Sequence, residues 1–426
     1  MRRADSAWRA PVGRVLAAGW GQVVVAAASL LAIRLYTALL TPDRFGAAML
    51  VMGGFSLIDG VLGAAFAQTA TVMLKRAQGP GRLRLGLGLA VEIARPAVPI
   101  IAVGWLVVAT CAVSGVACGW TVPLAVLAPV YLLLEPVRIV GQAVLLLQRR
   151  QGMLSLWSAT DAIAGVALTV ALVRLGLVGA GVLAIGAVGA RAGVAVGFAG
   201  GLFGRALLRA DRAGARALRA EALRFAAPVS AMAPIGWLSL YLDRYVVGAA
   251  VGPAAAGVLA ALNGAVARPY AVVSGALTNH FRPDLLDAAA GRAPVGARPL
   301  ARWITVAAAI GIAGVVAVAL WGGWAVGFLL RFERPVAWAD RLLLVLASAQ
   351  AIVLVRHAVD NRVLAQGASG TLLSAQLVAV AVGIPLIAAG ALAGGPIGAG
   401  LGRVANEALL LAVTVALVAR RRAKTP

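Results

Sequence analysis

The apolar stretches of the sequence hold seven arginines: Arg34, Arg138, Arg191, Arg244, Arg268, Arg356 and Arg403. They also hold six acids, Asp59, Glu135, Asp161, Asp243, Asp360 and Glu407, and the imidazole of His357. An ionised group at the centre of a bilayer costs on the order of a few kcal/mol or more, so such groups face a cavity or a partner. A guanidinium is a planar fork of N–H donors that stays charged, which suits it to an anion that must leave water. A carboxyl or imidazole in the same setting can carry a proton or hold a coupling ion. Asp59, Asp161, His357 and Glu407 are the candidates for that second task.

Spacing sorts these groups. Glu135 and Arg138 are i,i+3, while Arg356 with Asp360 and Arg403 with Glu407 are i,i+4. Such pairs share a helix face and can simply neutralise one another. Gln142 extends the first face and Asn361 follows His357 by one turn, a pattern of wet surfaces rather than sealed pairs. Arg34, Arg191 and Arg268 have no acid one turn away on their own helices. Arg34 lies near a span end, where snorkelling to headgroups is the alternative to a cavity role. Arg191 and Arg268 lie near mid-span, where snorkelling is hardest, and are expected to face a cavity.

The elements that must position these residues follow from composition. With 62% hydrophobic and 12% charged residues and a mean hydropathy of +0.94, the chain is too apolar for a soluble domain of its size. Runs of about 20 apolar residues predict membrane-spanning helices. Twelve are expected, at 14–40, 45–73, 94–117, 120–147, 154–176, 177–203, 225–250, 254–279, 301–330, 335–365, 368–392 and 395–419. The run from Val15 to Leu40 is too long for a secretory signal core and reads as an uncleaved first span.

Lysines and arginines crowd alternate loops, which places both termini on the cytoplasmic side. The net charge of +23 is mostly this orientation signal, and no nucleic-acid partner is expected. Cys111 and Cys118, about 10 Å apart along one expected helix, cannot form a disulfide. The tryptophans near span ends, among them Trp157, Trp303, Trp321, Trp324 and Trp338, read as an aromatic belt. Glycine-rich runs lack the strand and Walker lysine of a phosphate loop and read as helix-packing surfaces. Nothing in the sequence calls for a catalytic set, a metal or a cofactor.

A repeat organises the spans. "TPDRFGAAML" (41–50) and "GPAAAGVLAA" (252–261) both follow the first span of a half, and Pro42 maps to Pro253 and Gly46 to Gly257 at an offset of 211. Under nearly the same offset Arg34 falls beside Arg244, and Arg191 beside Arg403. The expected fold is therefore an all-α polytopic membrane protein, with about twelve transmembrane helices in two six-helix lobes. A pseudo-two-fold axis along the membrane normal would relate the lobes. They would be 1–203 and 225–426, joined by a basic amphipathic connector at 204–224 lying on the inner membrane surface. Asp243 and Arg244 are adjacent, so their side chains point about 100° apart. Arg244, the counterpart of Arg34, is expected to face the cavity and Asp243 a neighbouring helix.

The stretch "LRFAAPVSAMAPIGWLSLYLDRYVVGAAVGPAAAGVLAAL" (223–262) resembles the seventh and eighth helices of Wzx-type polysaccharide flippases. Those proteins belong to the multidrug/oligosaccharidyl-lipid/polysaccharide exporter superfamily. "LYTALLTPDRFGAAMLV" (35–51) is similar to that family's first helix hairpin. The resemblance implies a carrier, not an enzyme, in a bacterial cytoplasmic (inner) membrane. It would move polyprenyl-diphosphate-linked oligosaccharide to the outer leaflet by alternating access, for exopolysaccharide or O-antigen synthesis. A glycan polymerase and other assembly proteins would be its partners. Val258 and Leu259 stand where the family usually has a tyrosine, so nothing resting on that ring carries over.

On this reading Arg34, Arg138, Arg191, Arg244 and Arg268 meet the anionic headgroup. Asp59, Glu135, Asp161, Asp243, His357, Asp360 and Glu407 are coupling or ion-pair residues. The competing reading within the superfamily is a cation-coupled multidrug exporter, whose cationic substrates would favour unpaired acids instead. A lipid II flippase is a further option, although that family usually has two more spans. A glycan polymerase or ligase would need a sizeable outer loop, and the longest outer connection here is about "RFERPVAW".

Overall fold

A computed structural model of the chain describes residues 2–64, 74, 81–94, 135–148, 150–203, 211–289, 298–333, 335–366 and 368–424. The expected third span, Cys111 and Cys118 lie outside these residues, as does much of the second and fourth spans. Among the described residues there is no strand. The helices are α1 (Arg2–Leu39), α2 (Pro42–Ile58), α3 (Gly81–Ala94), α4 (135–147), α5 (Gln151–Arg174) and α6 (Val182–Phe203). They continue with α7 (Arg212–Ala250), α8 (Pro253–Ala289), α9 (Arg298–Leu329), α10 (Ala339–Ala365) and α11 (Ser369–Lys424). A π-helical turn, Asp59–Ala64, extends α2.

Six described helices are long and apolar enough to cross a membrane, which makes the chain an all-α, multi-pass membrane protein. The apolar stretch Gly370–Ala419 has 50 residues, about 75 Å of helix against a hydrocarbon core of about 30 Å. It is divided by Gly394 and Gly395, where the expected boundary between the last two spans falls. Gly395 has φ +58°, a conformation that costs a residue with a Cβ, and Pro396 opens the next helix.

Two stretches depart from expectation. The connector is not a separate surface helix over its described part: Arg212–Ala250 is one helix of 39 residues, continuous from the basic stretch into the expected seventh span. Asp211 caps it, its Oδ1 accepting from the Gly214 N–H at 2.8 Å. Gly81–Ala94, read from its arginines as loop, is a helix whose Leu85, Leu87 and Leu89 are buried with Ile139, Val140, Ala215 and Ala222. The first turns of α7 therefore lie on protein rather than on lipid alone. Glu92 of α3 is buried there, 3.6 Å from Arg216 and 3.8 Å from Arg219.

The chain divides into two compact units. Unit 1 comprises 1–32 and 47–234, and unit 2 comprises 33–46 and 235–426. In unit 1, Trp157 is fully buried and stacks on Phe198 at 5.0 Å, and in unit 2, Trp303 is likewise buried and stacks on Phe281 at 5.6 Å. These two are core residues, not the belt positions expected of them. Trp321 and Trp324 are exposed, as belt residues must be.

The core of unit 2 gathers Val247, Val258, Leu259, Leu262, Leu342, Leu346, Ile387 and Ala399 from α7, α8, α10 and α11. Val258 and Leu259, the positions that depart from the Wzx pattern, serve here as packed core. The repeat motifs meet within this unit. A Cβ on Gly257 would lie 2.6 Å from the Gly46 Cα, and one on Gly46 would overlap the Pro253 carbonyl. Only glycine permits backbones to approach this closely, and close packing replaces the hydrophobic effect as the helix-joining force in lipid.

Candidate functional site

In unit 2, residues one or two turns apart on four helices converge on a cavity of about 380 Å³. Tyr241 and Arg244 come from α7, and Asn263, Arg268, Tyr270 and Ser274 from α8. Gln350 and His357, seven apart on α10, and Arg403 of α11 complete its polar lining. The helical period explains the convergence, since residues at i, i+4 and i+7 lie on one face.

Asp243 and Arg244 part as their adjacency requires. Asp243 turns to α11, where its Oδ2 accepts from Arg403 Nη1 at 2.7 Å with both side chains almost wholly buried. Its Oδ1 accepts the Arg244 backbone N–H at 2.8 Å, so both carboxylate oxygens are engaged. Arg244 lines the cavity, its guanidinium 4.7 Å from the centre of the Tyr241 ring. Trp237 stacks on Tyr241 at 6.0 Å and braces it. Arg268 is exposed on the cavity wall and has no ion-pair partner among the described residues.

The expected pairing along α11 is replaced by pairing between helices. Arg403 is held by Asp243 of α7, and Glu407 accepts from Arg356 of α10 instead. Arg356 also lies 3.4 Å from Asp360, as their i,i+4 spacing predicts. Helix packing sets these choices, because a cross-helix partner is presented more directly than the next turn of the same helix. His357 exchanges a hydrogen bond through Nδ1 with Ser274 Oγ, and Asn361 Nδ2 donates to the His357 carbonyl at 2.8 Å.

Arg34 lies elsewhere than the cavity. Its Nη1 donates to the Phe328 carbonyl at 2.5 Å, and its guanidinium sits 4.2 Å from the Phe328 ring centre. Thr37, one turn on, donates to the Leu329 carbonyl and accepts the Arg331 N–H, both at 3.0 Å. Together they satisfy the carbonyl end of α9, where a cation is favoured. The spacing that marks Arg34 as unpaired sees only its own helix, not this end of another.

Unit 1 holds a second polar group. Asp59, Ser56 and Arg191 line a cavity of about 50 Å³ between α2 and α6. Asp59 opens the π-helical turn, and Gly63 leaves room for its carboxylate. Such turns occur often at functional sites. Arg138 Nε donates to both oxygens of Glu135 at 2.9 and 3.0 Å, and its Nη1 donates to Gln142 Oε1 at 3.0 Å. Asp161 of α5 is half-buried.

Sequence reading did not single out Asn263, Ser274, Gln350 or Glu92. The signal was present for Gln350, which shares the His357 face, and for Asn263 and Ser274, eleven apart on the face of Tyr270. Among the described residues no group of three or more metal-ligating side chains occurs.

No family model matches the chain, and no curated protein matches it. Solved structures do. The lipid II flippase MurJ in an inward closed conformation is similar at a TM-score of 0.72 and 11% identity, over 96% of this chain and 87% of MurJ. An inward-facing multidrug resistance MATE family transporter of the MOP superfamily is similar at 0.67 and 15%, over 93% and 95%. A mutant of VcmN, a MATE transporter of Vibrio cholerae, is similar at 0.64 and 13%, over 97% of each chain. At these identities the likeness is one of fold: the chain has the helical membrane fold of MOP-superfamily transporters.

Proposed function

We propose that the protein is a flippase for polyprenyl-diphosphate-linked oligosaccharide in a bacterial inner membrane. The reading rests on the cavity of unit 2, which Arg244 and Arg268 enter without an acid partner among the described residues. The nearest acid, Asp243, is spent on Arg403 and on a backbone N–H. A wall of this kind favours an anion, since guanidinium forks replace the water that a phosphate or carboxylate loses. The unit 1 residues Arg138 and Arg191 would meet the same substrate, with Asp59, Asp161, His357, Asp360 and Glu407 available for coupling or internal pairing. Lobes 1–203 and 225–426, joined through 204–224, would alternate access with both termini cytoplasmic. A glycan polymerase would take up the product.

The deciding experiment is mass spectrometry of polyprenyl-linked glycans in cells lacking the gene, with leaflet assigned by impermeant labelling. Complete repeat units trapped on the inner leaflet support the reading and identify the sugar. Trapped lipid II would redirect it to the peptidoglycan precursor, the substrate named for MurJ. A normal pool would overturn it. The second reading, a cation-coupled multidrug exporter, is favoured by Asp59 on the wall of the unit 1 cavity and by the MATE likeness. It requires that loss of the gene sensitise cells to cationic compounds.

A further inference from the structure

We infer that the first turns of α3 and α7 form a docking surface for an acidic segment of a cytoplasmic protein. The inference goes beyond the flippase reading and does not depend on it. Arg212, Arg216 and Arg219 stand at i, i+4 and i+7, within about 60° of one another around α7. Arg84 of α3 is brought beside them, because the Asp211 N–H donates to the Arg84 carbonyl at 2.9 Å. Gly88 permits that approach, since a Cβ there would lie 2.3 Å from the Asp211 carbonyl oxygen. Leu85, Leu87, Leu89, Ala215 and Ala222 are buried beneath and hold the two helices together.

The four guanidinium groups are open to a partner. Arg84 and Arg212 are exposed, the Arg216 side chain is 67% exposed and that of Arg219 41%. None of the four donates a hydrogen bond among the described residues. Glu92, at 3.6 Å from Arg216 and 3.8 Å from Arg219, attracts both but lies beyond hydrogen-bond reach. Asp211 Oδ1 is engaged by the Gly214 N–H, and Glu221 lies about 180° around α7 from Arg212. Outside the described residues the sequence contains no acid, so no further stretch of the chain can neutralise the stripe. Charge complementarity therefore calls for carboxylates from another molecule.

Two observations favour a protein over the lipid surface. A helix that lies on a bilayer buries large apolar side chains in it. From Asp211 to Arg224 no large apolar side chain is exposed, because that side of α7 is used against α3 and α4. The stripe also follows the axis of a helix that runs unbroken into the expected seventh span. Arg224 stands at the start of that span, and Arg212 is twelve residues before it, about 18 Å along the axis. The headgroup layer is only about 5–8 Å deep, so the stripe reaches past it into water.

The test uses the full-length protein in nanodiscs and a fluorescent helical peptide with glutamates at i, i+4 and i+7, beside the same peptide with glutamines. In discs of phosphatidylcholine the glutamate peptide is expected to bind about tenfold tighter or more, with an affinity that falls as salt rises. Phosphatidylglycerol added to the disc should leave that affinity unchanged. Arg212→Gln together with Arg216→Gln should weaken binding by about tenfold. Arg84→Gln, on the other helix, should weaken it in the same direction and keeps the test open where a change in α7 disturbs its seat. Arg302→Gln removes an exposed arginine at the start of α9 and should change nothing. Equal binding of the two peptides, or an equal loss in Arg302→Gln, overturns the surface and leaves only the diffuse positive charge of the chain. Displacement of the peptide by phosphatidylglycerol, with retention of that lipid lost in the arginine variants, overturns it in favour of a lipid site.

Discussion

Asp243 and Arg403 form a buried ion pair at 2.7 Å that joins the C-terminal part of α7 to the second half of α11. One partner alone in this place is a charge without water. Asp243→Asn or Arg403→Gln should therefore cost about 3–5 kcal/mol of stability, whereas the double variant should cost less than either. Thermal unfolding in detergent reads the difference directly. Single variants as stable as the parent would mean that water reaches the pair.

Arg268 and Arg191 are expected to act on substrate rather than on the fold. Arg268→Ala and Arg191→Ala should leave the protein in the membrane at normal levels and abolish transport, followed as lipid-linked glycan reaching the outer leaflet. Normal export by both would remove the cavity role assigned to them.

Arg34 should behave in the opposite way. Its guanidinium caps the carbonyl end of α9 and lies over Phe328, so Arg34→Ala should cost about 1 kcal/mol of stability. Arg34→Lys keeps the charge but loses the flat fork and should fall between. Substrate affinity should be unchanged in both, which equilibrium binding checks.

Gly46 and Gly257 set the distance between the repeat motifs. Gly257→Ala should overpack that contact by about 1–3 kcal/mol, and Gly46→Ala at least as much. Gly236→Ala on α7, where an added Cβ meets nothing within 4 Å, is the control and should be neutral or mildly stabilising. Equal melting temperatures for all three would show that the motifs yield where the backbone geometry says they cannot.

Some of this was legible in the sequence for simple reasons. Spans are long apolar runs, and the break at Gly394 and Gly395 announces itself by "GGP". Adjacent Asp243 and Arg244 had to part, and the partner on a neighbouring helix follows. Which helix it is does not follow, because Arg403 and Glu407 look like a pair until α7 and α10 are packed beside them. Asn263, Ser274 and Gln350 escaped notice because they carry no charge and so leave no mark in the pattern of intramembrane ionisable residues. Glu92 was hidden in a stretch whose arginines made it read as loop, and the alternating Leu85, Leu87 and Leu89, all buried in the helix, do not have the spacing of one helix face. The basic start of α7 likewise reads as connector, since charge pattern carries no mark of where a helix fails to end.

Residues 33–46 are part of a unit whose remaining residues begin at Ile235. The ribosome thus delivers this short piece long before Gly257, Phe328 and Leu329, the residues it will touch. Until then Arg34 and Thr37 have no α9 carbonyls to meet and Gly46 has no opposing backbone. Completion of the second unit is a late event in biogenesis, closed by a strap made early. A chain cut within 204–210 and expressed as two pieces leaves that strap on the wrong piece, so the two must find each other in the membrane before the later one can finish folding.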